Sequence, residues 1–394
     1  MLSKKPFFYY LFIQAAIWVS IWARGWTKTW LALGIPSPES PFGDMRAVQA
    51  SVASARRGLN PQVANGSFAK MDYPKIWIEI AKFLHLDSNV NFYAFVGLYE
   101  IAFTLFCALI LWRYSSYYIL SLCLSTSVLL GIERGNNDLF AFDLLGAVAF
   151  VGIPIFFGCV IFASILKIYP FSALAVIPFG GFRMSQTKTL SASFITLLTL
   201  ISWIKQIPTI SRGNSATSGG HLTYGILVIS KLTKNWTLLS RFALFLLISA
   251  ILVLLLSVIV SKFNFDPIFQ TDKESELLFL TGAVIFISTF LATENWDYRL
   301  IYLIMCAPFL LKLENKLLRI IVFGTLIITM NSILIIKIVP TVYLRNLIEM
   351  GTKLMAFNEV LFLTLVIVFP NFVAASNRTM KKCFASLARR HGLT

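Results

Sequence analysis

Between Phe92 and Trp112 the chain carries a single charge, Glu100, and a helix of roughly 20 apolar residues is what crosses a bilayer core. Similar or shorter apolar runs recur along the whole sequence, separated by polar connections. Backbone in lipid has to satisfy its own hydrogen bonds, so such runs fold as helices. The expected fold class is therefore an all-α polytopic membrane protein. A mean hydropathy of +0.77 and a charged fraction of 13%, against about a quarter in soluble domains, exclude the soluble classes.

By the same ruler, spans are placed at 7–22, 92–112, 117–132, 139–152, 154–165, 169–179, 190–207, 242–260, 277–292, 300–311, 320–336 and 354–369, about twelve in all. They form one membrane domain over 1–394, with a first loop at 24–91 and a basic tail at 377–394. Lys4 and Lys5 precede an apolar run with no small-residue cleavage site, so that run reads as the first span. An even count puts both termini on one side, and the basic residues at each end make that side the cytoplasm.

The net charge of +16 would suggest nucleic acid in a soluble protein. Here Lys and Arg sit in connections and at the ends, where anionic headgroups account for them, so no nucleic-acid partner is expected. Four of the five cysteines lie in apolar runs and the three histidines are dispersed, so neither a disulfide framework nor a metal site is expected.

With these spans, the polar segments emerge on one face: the first loop with Pro41-Phe-Gly-Asp44-Met-Arg46, the turn Glu133-Arg-Gly-Asn-Asn-Asp138, Lys167-Ile-Tyr-Pro170, the segment 211–240, Glu294-Asn-Trp-Asp-Tyr-Arg299 and the segment 337–353. Within the first loop, 45–57 and the amphipathic 76–84 are expected to be short helices, the second in the membrane interface. Charges at the ends of membrane segments are costly and call for a reason. Glu133, Arg134 and Asp138 either neutralise one another or form part of a site, and the same holds for Glu294, Asp297 and Arg299. Lys167 either snorkels to the interface or faces an anion, and with Arg134 and Arg299 it supplies the cations a phosphate site uses. Asp44 is either a helix cap or a general base for an acceptor hydroxyl.

Taken in order, Asp44, Arg57-Gly-Leu-Asn-Pro61, Asp72-Tyr-Pro74, Glu133-Arg-Gly-Asn136, Lys167-Ile-Tyr-Pro170 and Asn295-Trp-Asp-Tyr-Arg299 resemble the integral membrane C-type glycosyltransferases, most closely the family 87 type that includes polyprenyl-phosphate-mannose-dependent mannosyltransferases. The family's Asn-Pro-Tyr reads Asn60-Pro61-Gln62 here, and its Tyr-Pro-Pro reads Tyr73-Pro74-Lys75. The resemblance implies a C-type bundle of about twelve spans, with a site on the extracytoplasmic face of a bacterial inner membrane. It also implies an inverting single displacement by Asp44 as base, with a lipid phosphate as leaving group and no cofactor. The donor would be a polyprenyl-phosphate-linked mannose or similar sugar, and the acceptor a glycolipid or polysaccharide. On this reading Arg134, Lys167, Arg299, Lys75 and His221 hold the donor phosphate, while Arg46, Asn60, Tyr73, Glu133, Asn136, Asp138, Tyr169, Asn295 and Asp297 orient those cations or bind sugar and acceptor.

A transporter or lipid-linked-sugar flippase is the alternative, since Glu100, Asp143 and Glu359 fall inside apolar runs. Transporters place their sites near the midplane and often show inverted repeats, and no repeat is visible in this sequence.

Overall fold

The computed structural model describes residues 4–37, 40–62, 71, 73–176, 223–224, 272–292, 295–341, 344–345 and 347–368. Asp72, His221, Glu294, the spans expected at 190–207 and 242–260 and the basic tail lie outside the described residues.

The described chain is helical. α1 (Lys5–Arg24) and α2 (Trp26–Ala32) are followed by α3 (Gly43–Arg56) and α4 (Ile76–Phe83), the two short helices of the first loop. Next come α5 (Asn89–Tyr114), α6 (Tyr117–Cys123), α7 (Thr126–Arg134), α8 (Asp138–Gly146) and α9 (Ile153–Leu166). A 3-10 segment at Tyr169–Ala175 follows α9. Beyond it lie α10 (Lys273–Ala292), a second 3-10 segment at Asp297–Tyr302, α11 (Leu303–Leu310), α12 (Lys316–Met330), α13 (Ser332–Ile338) and α14 (Leu347–Val368). A two-residue antiparallel ladder pairs β1 (Thr223–Tyr224) with β2 (Asn295–Trp296), Tyr224 opposite Asn295.

Among the described residues four helices are long and apolar enough to cross a membrane: α1, α5, α10 and α14. α5 shows why. Leu98, Ile101, Leu105, Leu109 and Trp112 are exposed along one stripe at helical spacing, while Phe92, Val96, Phe103 and Cys107 are buried on the other side. An apolar stripe of that length turned outward fits lipid. α1 does the same with Phe8, Phe12, Trp18, Val19 and Trp22.

Several expected spans take a different form. The run 117–132 is broken at Leu124 and Ser125, because the Ser125 side chain caps α7 by accepting from the Val128 amide. The run 320–336 is likewise broken at Asn331, between α12 and α13. The two breaks meet: the Thr126 amide donates to Asn331 Oδ1 at 3.0 Å and the Thr126 hydroxyl to the Met330 carbonyl at 3.2 Å. The run 169–179 is no span over the residues described, for Pro170 starts a 3-10 segment seven residues long, which at about 2 Å per residue reaches about half a bilayer core. The run 300–311 is enclosed by protein, with Leu300 to Cys306 each fully buried, and a helix apolar all round is a core helix when protein surrounds it. α10 lies directly against it at Gly282, where a β-carbon would come within 2.4 Å of the Tyr302 carbonyl oxygen.

Candidate active site

The site is built where α3 meets the turn after α7. Gly135 ends α7 in the left-handed region at φ +55°, and the Phe42 amide donates to the Glu133 carbonyl at 3.2 Å. Phe42 is itself left-handed, at φ +62°, and buried against Trp26 with ring centroids 4.5 Å apart. Its conformation starts α3 at Gly43, so Asp44 falls in the helix's first turn, where backbone N–H groups favour an anion. Asp44 is thus inside the helix rather than at the cap position, which Phe42 occupies.

The half-buried Asp44 carboxylate accepts from Asn136 Nδ2 at 2.5 Å. Asn136, fully buried, is held in one orientation. Its Oδ1 accepts from the Asp138 amide at 2.8 Å and from Lys167 Nζ at 3.1 Å, so its NH2 group is left to face Asp44. Lys167 lies just past the end of α9, turned inward and 6% exposed, with Nζ 2.6 Å from Asp138 Oδ1 and 5.4 Å from the centre of the Tyr73 ring. It does not snorkel. The Tyr169 hydroxyl also donates to Asp138 and lies 3.1 Å from the Tyr302 hydroxyl. Arg299 reaches the other oxygen of Asp138 with Nε at 3.4 Å, its guanidinium 5.2 Å from the Tyr169 ring centre.

Arg134 pairs with Glu133 at 3.3 Å and keeps its side chain 28% exposed. Burial raises the Asp44 carboxyl above the ordinary carboxylate range, against the opposing pull of the Arg134 charge, the Asn136 hydrogen bond and the Lys167 charge. Burial also lowers the Lys167 ammonium to about 8, although Asp138 favours its charge. Burial, reinforced by the Asp44 charge, holds the Tyr73 and Tyr298 hydroxyls well above their usual value, so both are neutral donors at pH 7.

Of the residues singled out from sequence, Asp44, Asn136, Asp138, Lys167, Tyr169, Arg299 and Tyr73 come together, with Glu133 and Arg134 on the adjoining turn. Arg46 does not join them. It clamps α3 to α5, donating to Gln49 at 2.6 Å, Asn89 at 3.2 Å and the Tyr93 hydroxyl at 2.5 Å. Asn60 is exposed and accepts from the Gln62 amide at 3.1 Å, a local turn. Lys75 is exposed at the start of α4. Asn295 contributes a backbone position in β2. Asp297 turns away from Arg299 and pairs with Lys353 at 2.8 Å.

Sequence reasoning passed over Tyr298, Tyr302 and Lys353. Tyr298 stands inside the quoted motif beside Arg299 and Tyr302 three residues beyond it, which was the available signal. Among the described residues no three His, Cys, Asp or Glu side chains gather in a metal-holding group.

No protein-family model, no curated protein and no solved structure matches the chain.

Proposed function

We propose that the chain is a membrane glycosyltransferase that moves a sugar from a polyprenyl-phosphate-linked donor to a hydroxyl of a glycolipid or polysaccharide. The observation that carries this reading is the Asn136 amide, which joins the Asp44 carboxylate on one side to the Lys167 ammonium on the other. A base and a cation held by one rigid group suit a displacement that takes up a proton at one end and releases a phosphate at the other.

In the proposed step the acceptor oxygen bonds to the anomeric carbon as the carbon–phosphate-oxygen bond breaks. The acceptor proton goes to Asp44, and the bonding pair leaves with the polyprenyl phosphate, whose charge Arg134, Lys167 and Arg299 stabilise. Single displacement inverts the anomeric centre. On this reading the site faces the extracytoplasmic side of a bacterial inner membrane, and a lipid-borne donor is in keeping with a chain that carries four helices long and apolar enough to cross a membrane among its described residues.

The test is transfer from a panel of radiolabelled polyprenyl-phosphate sugars to membrane lipid extract, with wild type and Asp44→Asn side by side. Transfer by the wild type alone supports the class, the sugar and the base together. Absence of transfer with every donor, from monodisperse protein, favours the transporter reading, for which the observation is Glu100, 2% exposed inside α5.

A further inference from the structure

We propose that Lys353, on α14, is a positioning residue that sets Arg299 on the site through the Asp297–Tyr302 turn; its effect on catalysis rests on the glycosyltransferase reading above. Lys353 is 3% exposed, yet its ammonium lies 2.8 Å and 3.0 Å from the two oxygens of the fully buried Asp297 and 2.6 Å from Glu349 Oε1. The Ser332 hydroxyl, at the start of α13, donates to the same Asp297 carboxylate at 2.5 Å. Two consecutive helices, α13 and α14, thus converge on Asp297 from 35 and 56 residues further along the chain.

A 3-10 helix has three residues per turn, so positions two apart point to different sides. Asp297 faces Lys353, and Arg299, two residues on, faces Asp138. The turn therefore has one charged residue held by α14 and another delivered to the site. Gly282 allows α10 to press on the backbone of this turn, at the Tyr302 carbonyl, so the turn has little room to rotate. Holding Asp297 fixes the register of the turn, and with it the reach of the Arg299 guanidinium. Two carboxylates share the one ammonium, and a buried carboxylate that loses its cation moves toward water or toward another cation. The Arg299 guanidinium belongs to the same turn, so release of Asp297 disturbs its hold on Asp138.

The test reads Arg299 directly. Full-length protein purified in detergent is treated with phenylglyoxal, and modification of Arg299 is followed by mass spectrometry in wild type, Lys353→Met and Lys353→Arg. The expected result is modification several-fold faster in Lys353→Met and near the wild-type rate in Lys353→Arg. In the transfer assay, the apparent KM for the lipid-phosphate donor rises about tenfold in Lys353→Met with a smaller change in kcat, the mark of a weakened binding contact.

A variant with the three charges removed together, Asp297→Asn, Glu349→Gln and Lys353→Met, avoids leaving the two carboxylates buried without their ammonium. It is the form to use where Lys353→Met does not give monodisperse protein. Arg299 reactivity equal to wild type in a monodisperse variant overturns the proposal. Since that reactivity needs no donor, it separates the two readings. Transfer with unchanged Arg299 reactivity sinks the positioning role alone, and faster modification without transfer by any donor keeps the positioning role while removing the enzyme.

Discussion

A β-carbon on Gly135 would sit 2.8 Å from the β-carbon of Phe42. The two residues are a lock between the turn after α7 and the first turn of α3, and the catalytic candidate Asp44 begins two residues after Phe42. Gly135→Ala adds left-handed strain and a clash at once, together about 2 to 5 kcal/mol. Thermal unfolding of the purified protein should show the loss, and the transfer rate should fall with it. Adding Phe42→Ala should return little, because alanine keeps the β-carbon that the new methyl group meets at 2.8 Å and the left-handed strain remains.

The pH dependence of transfer should be a bell. Asp44 must be unprotonated to take up the acceptor proton, and burial raises its pKa, so activity on the acid side is lost above the ordinary carboxylate range. Lys167 must be charged to face a phosphate, and its pKa is lowered to about 8, so activity falls as pH rises through that value. Lys167→Arg keeps the charge at all accessible pH and should move the alkaline limb upward. An alkaline limb unmoved by this substitution assigns it to another group.

Asn136→Ala removes the hydrogen bond that aims the Asp44 carboxylate, a contact to a charged group, and should lower kcat about ten- to a hundredfold. Asn136→Asp places a like charge beside Asp44 and should move the acid limb to higher pH. Rate and pH profile of the two variants, measured together, tell an orienting amide from one that merely fills space.

Asn331→Leu leaves the Thr126 amide without its acceptor inside the protein, at about 1 to 3 kcal/mol. Asn331→Asp keeps an acceptor oxygen in place and should recover part of the loss. Midpoints of thermal unfolding in one detergent decide the comparison.

The site was more legible in the sequence than the spans. A charged residue at the end of an apolar run is expensive, so Asp138, Lys167 and Arg299 stand out wherever they fall, and both cations meet Asp138. Arg46 and Asp297 stand out equally, but their partners depend on which way a helix or turn is rotated, and neighbouring letters do not say that. Lys353 was hidden because the apolar run ahead of 369 begins at Leu354, which leaves the lysine in a loop. The helix starts earlier, at Leu347, and carries Glu349 and Lys353 inward on one face. The spans were harder, since a capping serine such as Ser125 reads like any small residue in an apolar run. Nothing local distinguishes a helix facing lipid from one, like α11, that is enclosed by its own chain.

The seam between Thr126 and Asn331 closes over a separation of 205 residues. A chain made at about 5 to 20 residues per second emits the first half of that seam about 10 to 40 seconds before the second. For that interval the Thr126 amide has no Asn331 side chain to bond, so it has to find water or another acceptor until that residue is made.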